Sequence, residues 1–340
     1  MKKIIISITC IFIIFFGIYY FIGLNKNITK NEKETKKTIK KEETYTNLVS
    51  SNGMLSIKDN NIVNEKGDIF ILKGMSSHGI QWFSDLITKE NIKYLKENYN
   101  SNLFRIAMYT NENGYIQNKE LKQKAMDIMD MVIDLDMYVI IDWHILSDND
   151  PLMYKNEAIE FFDEISKKYK DYPNVLYEIC NEPNGNVTWQ DNIKPYAIDV
   201  IKTIRKNTDN IIIVGTPTWS QDVDIVSNDP IEEKNIMYSL HFYSGTHTDY
   251  LRDKAKTALL KIPIFISEFG ISDASGNGGI FIEEANKWIE FMKDNNLSWA
   301  NWSLTNKNES SAFLKENTFI INEDNLSESG KYISEIMKGY

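Results

Sequence analysis

The fold is decided by one stretch, Val175-Leu176-Tyr177-Glu178-Ile179-Cys180-Asn181-Glu182-Pro183. Its first part is an apolar run with the length and the β-branched content of a buried strand. Proline has no N–H to donate to a neighbouring strand, so the strand must end before Pro183. Glu182 is therefore expected at the mouth of the sheet or barrel in which this strand is buried.

A second stretch, Ile264-Phe265-Ile266-Ser267-Glu268-Phe269-Gly270, has the same pattern. It is again an apolar strand, with a carboxylate at its C-terminal end and a breaker behind it. If the two strands are parallel, Glu182 and Glu268 lie at the same end of the sheet. A pair of carboxylates placed in this way can cleave a glycosidic bond, because one protonates the leaving oxygen while the other attacks the sugar or activates a water.

Strand and helix patterns alternate along the chain with the rhythm of a (β/α)8 barrel. A doubly wound open sheet is the alternative, but it would carry a glycine-rich phosphate-binding turn after an early strand, which this sequence lacks. Met54–Ile57 and Asn61–Asn64 precede this alternation and indicate a small hairpin suited to plug the bottom of a barrel. The predicted strands are Ile69–Gly74, Leu103–Ala107, Tyr138–Asp142, Val175–Cys180, Ile211–Gly215, Ile236–Leu240, Ile264–Ser267 and Ser298–Trp302. The predicted helices are Lys89–Tyr99, Lys119–Leu135, Asn156–Tyr169, Ile193–Lys206, Asp222–Ser227, Leu251–Leu260, Phe281–Asn295 and Ser327–Met337.

The composition argues against several classes of function. A net charge of −10 disfavours nucleic acid and other polyanionic partners. The chain has only four histidines, and none stands in a His-x-His or His-Glu-x-x-His spacing, so no metal centre is expected. The two cysteines, Cys10 and Cys180, both fall in apolar segments, so no disulfide is expected either.

The N-terminal region has the pattern of an exported protein. Lys2 and Lys3 precede an uncharged apolar run from Ile4 to Leu24, which is long enough to span a bilayer. We expect residues 1–24 to be an uncleaved transmembrane anchor, and a cleaved signal peptide is the alternative. Residues 25–50 are dominated by Lys, Glu, Thr and Asn and are expected to form a flexible polar linker. Residues 51–340 then form a domain outside the cytoplasmic membrane, held at the cell surface or secreted.

Polar and aromatic side chains follow every predicted strand, at the end of the barrel where such folds place their chemistry. A lone histidine or tryptophan is more often a core residue, but this pattern repeats around the whole barrel. In chain order the residues are His78, Trp82, Arg105, Tyr109, Asp142-Trp143-His144, Asn181-Glu182, Thr216 to Trp219, His241, Tyr243, Glu268, Trp302, Lys307 and Glu309.

Six motifs around these residues resemble glycoside hydrolase family 5, and within it the bacterial endo-β-1,4-glucanases. The resemblance covers about residues 50–335. The motifs are Gly74–Phe83, Phe104–Tyr109, Ile140–Leu146, Tyr177–Gly185, Val214–Asp222 and Leu240–His247. The resemblance implies a (β/α)8 barrel that acts on a β-linked polysaccharide by a retaining double displacement. It also implies that the reaction needs no metal or organic cofactor, and we expect the protein to be a monomer.

The same resemblance implies a role for each site residue. It makes Glu182 the acid/base and Glu268 the nucleophile. The supporting residues are Arg105 and Tyr243, which keep Glu268 ionised, Asn181, which binds the sugar 2-hydroxyl, and His241, which orients Glu182. The substrate-binding residues that it implies are His78, Tyr109 and His144 in the central subsite, Trp82, Trp219 and Trp302 as sugar-stacking platforms, Lys307 and Glu309 on the non-reducing side, and Ala274. Trp288 and Trp299 lie in a helical pattern and within the last strand, so we expect neither to contact the ligand.

Three positions depart from the family pattern. Phe269 stands where close members usually have Trp, Cys180 stands where a small residue is usual, and Pro217 replaces a common Gly. None of them removes a catalytic group, so they bear on rate and subsite preference. A β-mannanase or a mixed-linkage glucanase remains the alternative within the enzyme class. A catalytically silent glycan-binding barrel is the alternative of a different class, and the complete set of acid/base residues disfavours it.

Overall fold

The computed structural model describes residues 47–340. An antiparallel hairpin comes first, formed by β1 (Ser56–Lys58) and β2 (Asn61–Val63). Eight parallel strands then close into a barrel, which confirms the predicted fold class. These strands are β3 (Lys73–Ser77), β4 (Leu103–Tyr109), β5 (Tyr138–His144), β6 (Val175–Glu178), β7 (Ile212–Val214), β8 (Ile236–Tyr243), β9 (Ile264–Gly270) and β10 (Trp299–Leu304). The last strand pairs with the first, so the barrel leaves no sheet edge open.

Helices connect the strands and cover the outside of the barrel. Several begin at a side chain that accepts a backbone N–H of the first turn, as Thr88 does for Asn91 and Ser327 does for Gly330. The helices are α1 (Val49–Asn52), α2 (Ile80–Phe83), α3 (Lys89–Tyr99), α4 (Leu121–Asp134), α5 (Lys155–Lys168), α6 (Lys194–Ile204), α7 (Val223–Val226), α8 (Asp249–Leu259), α9 (Ile282–Asp294) and α10 (Glu328–Gly339). Shorter turns lie at Ser84–Leu86, Pro151–Tyr154, Trp189–Ile193, Pro217–Ser220 and Glu323–Asn325.

Alternation along the strands divides the apolar residues into two layers. On β4, Phe104, Ile106 and Met108 belong to the large core between strands and helices. Leu103 belongs instead to a second cluster with residues of the other strands, among them Ile140, Leu176, Met237, Phe265 and Ala300. Leu55 and Ile62 from the hairpin region pack into this second cluster. The hairpin therefore closes the N-terminal end of the barrel, as predicted, and leaves the C-terminal end open for a site.

The prediction of the first barrel strand was wrong in its position. The strand runs over Lys73–Ser77, not Ile69–Gly74. The apolar residues before it pair with the hairpin instead: Ile69 forms an isolated bridge with Val63, and Phe70 N–H donates to Ile62 O at 2.9 Å. Five other strands, β4, β5, β8, β9 and β10, extend two or three residues beyond their predicted ends, whereas β6 and β7 end one or two residues earlier than predicted.

The described part of the chain begins slightly before the predicted domain. Ser50, placed in the linker by the sequence prediction, lies in helix α1, and its N–H donates to Asp136 Oδ1 at 2.9 Å. The predicted anchor of residues 1–24 and most of the predicted linker lie outside the described residues. Among residues 47–340, no helix has both the length and the apolar character needed to cross a membrane.

Candidate active site

A cavity of about 610 Å³ lies at the C-terminal end of the barrel. All four histidines of the chain line this cavity, because each of them lies near the C-terminal end of a barrel strand or in the loop behind it. Thirteen of the fifteen predicted site residues line it too: His78, Trp82, Tyr109, His144, Glu182, Trp219, His241, Tyr243, Glu268, Ala274, Trp302, Lys307 and Glu309. The other two, Arg105 and Asn181, are fully buried directly behind it.

Arg105 is the centre of a buried polar network beneath the cavity. Its Nε lies 2.6 Å from Glu178 Oε2, and its Nη1 lies 3.3 Å from Glu268 Oε2. Its Nη2 lies 2.7 Å from Asn181 Oδ1 and 2.9 Å from Asp142 Oδ2. One guanidinium group therefore fixes three carboxyl groups and an amide that come from three strands: Asp142 from β5, Glu268 from β9, and Glu178 and Asn181 from β6 and its end.

The network shifts the pKa values of two fully buried carboxyl groups, Asp142 and Glu178, in opposite directions. Burial raises the pKa of Asp142 well above its ordinary value, although Arg105 opposes the shift. Burial also acts to raise the pKa of Glu178, but the adjacent Arg105 guanidinium, with His241 3.9 Å away on the other oxygen, outweighs burial and lowers this pKa to about 2. Glu178 is therefore the permanent counter-ion of Arg105.

Each carboxylate oxygen of Glu268 accepts a hydrogen bond. Tyr243 donates its hydroxyl hydrogen to Oε1 at 2.7 Å, and Arg105 donates to Oε2. Burial, followed by the negative charge of Glu182, raises the pKa of Glu268 to about 7. The two donors favour the ionised form, so they limit this rise.

Glu182 and Glu268 face one another across the cavity. One oxygen of each lies within 4.8 Å of the other, together with a ring nitrogen of His241. Retaining glycosidases hold their carboxyl groups about 5–5.5 Å apart, whereas inverting enzymes need roughly 6.5–9.5 Å to admit a water. The same three side chains are the cluster in residues 47–340 with the spacing to ligate a metal ion.

His241 is hydrogen-bonded at both ring nitrogens. Its Nδ1 lies 2.9 Å from Glu182 Oε1, and its Nε2 lies 2.9 Å from Ser267 Oγ. Burial lowers the pKa of His241, but the carboxylates of Glu178 and Glu182 outweigh it and raise this pKa to about 9. At neutral pH, a proton is therefore held along the His241–Glu182 hydrogen bond, within reach of the cavity.

Asn181 is oriented by three partners. Its Oδ1 accepts from Arg105, its Nδ2 donates to Ile145 O at 3.1 Å, and Nδ2 also lies 3.3 Å from His144 Nε2. His144 Nδ1 lies 2.6 Å from Asp142 Oδ2. Burial, with Arg105 next, lowers the pKa of His144 well below its ordinary value. A neutral His144 therefore donates from Nδ1 to Asp142 and accepts from Asn181 at Nε2.

Stacked and tilted rings form one wall of the cavity. His144 stacks on Trp302 with ring centroids 5.4 Å apart, and Tyr109 lies 4.1 Å from His144. Trp82 contacts both Tyr109 and His78 at its outer edge. Trp302 is 7% exposed and Trp82 is 43% exposed, so the wall offers a deep face and a shallow face to a flat ligand.

A second aromatic group lies across the barrel. Trp219 follows β7, which is opposite β3 in the strand order, and it is 44% exposed. Gln221, two residues further along the chain, and His247, which follows β8, also line the cavity. The remaining tryptophans are buried and do not line the cavity, as expected for Trp288 and Trp299; the other two are Trp143 and Trp189.

A family model described as Cellulase (glycosyl hydrolase family 5) matches residues 63–308 of this chain. The chain belongs to glycosyl hydrolase family 5. An endoglucanase of Clostridium saccharobutylicum is 48% identical over 85% of this chain and 66% of its own length. Endoglucanase A of Evansella cellulosilytica is 55% identical over 73% of this chain and 51% of its own length. The chain thus spans between about half and two thirds of the length of these curated relatives.

Solved structures of a cellulase and an endoglucanase have the same fold. Cellulase Cel5C_n superposes with a TM-score of 0.82 at 45% identity, covering 84% of this chain and 92% of that one. The catalytic domain of Thermobifida fusca endoglucanase Cel5A, solved in complex with cellotetraose, superposes with a TM-score of 0.83 at 32% identity. That match covers 85% of this chain and 99% of the solved chain.

Part of this family 5 site was not predicted. Asp142 was noted among the strand-end residues but was given no role, and Glu178 was not predicted as a site residue. Both stand at inward positions of otherwise apolar strands, two residues after Ile140 and Leu176 of the barrel interior. A charged residue in phase with buried apolar ones is a signal for a functional network. The cavity residues that were not predicted are Glu112, Leu146, Gln221, His247, Ser275 and Gly276.

Proposed function

We propose that this protein is an endo-acting, retaining β-1,4-glucanase that hydrolyses cellulose or a related β-glucan. The observation that carries the proposal is the short separation of the Glu182 and Glu268 oxygens, with Arg105 and Tyr243 on one carboxylate and His241 on the other. The endoglucanases among its relatives and the cellotetraose bound to a solved family 5 structure support the choice of substrate.

In the first step, a Glu268 oxygen attacks the anomeric carbon while the glycosidic oxygen leaves with a proton from Glu182. The product is a glycosyl ester of Glu268, whose negative charge is lost. Arg105 does not become an unpaired buried charge, because it keeps its short contact with Glu178. In the second step, Glu182 takes a proton from the water that attacks the same carbon, and Glu268 leaves as a carboxylate.

The cavity walls suit a neutral, flat polymer. Sugar rings present C–H groups to aromatic faces, and Trp302, Trp82 and Trp219 offer such faces on opposite sides of the carboxylates. Lys307 and Glu309, whose charged groups lie 2.6 Å apart, supply hydrogen-bonding groups for sugar hydroxyls, and Ala274 lines the same cavity. For Asn181, a sugar 2-hydroxyl competes with the 3.3 Å contact to His144, the longest of its three.

The test is reducing-sugar release from carboxymethyl cellulose, mannan and mixed-linkage β-glucan by the same preparation. Hydrolysis of the cellulose derivative with a rapid fall in viscosity supports an endo-acting glucanase. Preference for mannan or for mixed linkages assigns a different substrate to the same two carboxylates. Binding without any hydrolysis supports the silent glycan-binding alternative and overturns the proposal.

We also propose that the protein is exported, acts as a monomer, and is held at the membrane by an uncleaved segment within residues 1–24. The apolar run from Ile4 to Leu24 and the polar residues behind it support this. Cell fractionation and sequencing of the mature N-terminus test it. A soluble product that begins between Leu24 and Ser50 contradicts the anchor but not the export.

A further inference from the structure

The turn that carries Trp219 has an unusual backbone. Thr218, Trp219 and Ser220 have φ angles of 57°, 55° and 55°, three consecutive left-handed conformations without a glycine. L-residues avoid this region, and a β-branched residue such as Thr avoids it most. Such a conformation persists only where the surrounding structure holds it in place.

Two hydrogen bonds tie this turn to the segment that carries Glu182. Ser220 Oγ donates to the carbonyl oxygen of Asn181 at 2.6 Å. Trp219 N–H donates to the carbonyl oxygen of Pro183 at 3.0 Å. The two carbonyls belong to the residues immediately before and after Glu182. The turn therefore grips the backbone on both sides of the acid/base residue.

The Ser220 hydroxyl acts both as a donor and as an acceptor. Its side chain is buried, and while it donates to Asn181 it also accepts from Thr216 N–H at 3.2 Å. The adjoining backbone is equally close, because a Cβ added to Gly215 would lie 2.2 Å from the carbonyl oxygen of Cys180. Alanine at position 220 removes both hydroxyl bonds and leaves two buried backbone groups without that partner.

An outer brace holds the other end of the turn. Thr218 Oγ1 donates to Asp222 Oδ2 at 2.6 Å, and Lys254 Nζ on helix α8 lies 2.5 Å from Asp222 Oδ1. Both oxygens of Asp222 are thus engaged, one by the turn and one by a helix. This brace makes no contact with Glu182, so it can be altered without touching the hydroxyl of Ser220.

We propose that Ser220 is a positioning residue for Glu182, and that the left-handed turn couples a sugar bound on Trp219 to the placement of the acid/base carboxyl. The coupling is direct, because the residue that stacks on the sugar and the residue next to it each hold a carbonyl beside Glu182. This inference rests on the proposed function. It adds a link between occupancy of the part of the cleft lined by Trp219 and proton delivery.

The test compares a natural and an activated leaving group in Ser220→Ala. Cellotetraose needs a proton on its leaving oxygen, whereas 2,4-dinitrophenyl β-cellobioside does not. We expect kcat on cellotetraose to fall at least about tenfold, while the burst rate of dinitrophenolate release stays within about twofold of wild type. Equal loss on both substrates, or no loss on either, overturns the positioning role.

Ser166→Ala is the matched control. Ser166 is a buried serine near the end of α5 whose hydroxyl donates to Asp163 O at 3.4 Å and accepts from Asn207 Nδ2 at 2.9 Å. Its loss should lower stability without changing the ratio of the two rates. A changed ratio in Ser166→Ala contradicts the proposal, because it shows that general destabilisation is enough.

Lys254→Met provides a second variant if Ser220→Ala folds poorly. It loosens the turn through Asp222 and should change the same ratio in the same direction, by a smaller factor. A wild-type ratio in Lys254→Met contradicts the coupling. Wild-type inactivity on cellotetraose contradicts the proposed β-glucanase instead, and the comparison then moves to whichever oligosaccharide wild type cleaves.

Discussion

Arg105 lies closer to Glu178 than to Glu268: Nε to Glu178 Oε2 is 2.6 Å, whereas Nη1 to Glu268 Oε2 is 3.3 Å. The carboxylate that takes part in the reaction is thus the weaker partner of the buried cation. This ordering leaves Glu268 free to form and break a covalent bond while the charge of Arg105 stays compensated by Glu178.

Glu178→Gln should therefore lower both stability and activity, although Glu178 does not line the cavity. Breaking a buried ion pair by removing one partner costs about 3–5 kcal/mol. Of the two carboxyl groups that would remain beside Arg105, Asp142 has a strongly raised pKa, so Arg105 would pair with Glu268 and hold it back from attack. Urea unfolding and kcat measure the two effects. An unchanged free energy of unfolding contradicts the assignment of Glu178 as the counter-ion.

Alanine variants of the two cavity glutamates should behave differently. Glu268→Ala should abolish turnover, because no covalent intermediate can form. Glu182→Ala should still form the glycosyl-enzyme from an activated aryl glycoside, and its second step should be slow. Added azide should rescue that step and give a β-glycosyl azide, identified by NMR. An α-azide from Glu182→Ala, or rescue of Glu268→Ala alone, would show that the two roles are exchanged.

The dependence of kcat/KM on pH should be shifted towards alkali. Glu268 attacks only when ionised, and its pKa is raised to about 7, so kcat/KM should rise as pH increases through that value. His241, whose pKa is raised to about 9, loses its proton above that value, and kcat/KM should fall as proton delivery through Glu182 fails. A pH series on a neutral soluble β-glucan measures both limbs.

Tyr243→Phe should move the acid limb of the pH profile to a higher pH, because it removes a hydrogen bond that favours ionised Glu268. An acid limb near pH 4.5, the ordinary carboxyl value, would contradict the assignment.

Trp219→Ala should weaken binding and leave the fold nearly intact. The indole is 44% exposed, so its removal takes away a ligand contact and little core. Trp299→Ala is the control, since that ring is fully buried and its truncation should cost about 3–5 kcal/mol. Calorimetry with cellotetraose and urea unfolding measure the two properties. A loss of stability in Trp219→Ala as large as that of Trp299→Ala contradicts the platform role.

Glu112→Gln should change the preference between charged and neutral polymers. Glu112 lines the cavity, and among residues 47–340 its carboxylate has no hydrogen-bond or ion-pair partner. Its removal should raise kcat/KM on carboxymethyl cellulose relative to hydroxyethyl cellulose by about threefold at low salt, with a smaller effect at high salt. Glu160→Gln changes an exposed carboxylate on α5 and serves as the control. An equal effect of both variants would assign the change to net charge alone.

Much of this site follows from the sequence, because strand patterns, chain breakers and strand-end residues are local signals. Glu182 and Glu268 are found in this way. The start of the first barrel strand cannot be found in this way, because Ile69 and Phe70 are as apolar as residues of the barrel. Only their pairing with the hairpin shows that they lie outside the first strand. The left-handed turn at Thr218–Ser220 is also beyond local patterns, because Trp219 and Ser220 donate hydrogen bonds to carbonyls of the distant segment Asn181–Pro183.

The hairpin that closes the N-terminal end of the barrel also indicates where the domain can be attached to a support without blocking the cavity. Val49 N–H bonds to Asp136 O just before β5, and Tyr138 donates its hydroxyl hydrogen to Gly53 O, so the chain enters at the closed end of the barrel. Asn47 and the open cleft are thus at opposite poles of the domain. A bead or surface linked through Asn47 would leave the cleft pointing outward, where it could reach the proposed β-glucan substrate even in a solid form.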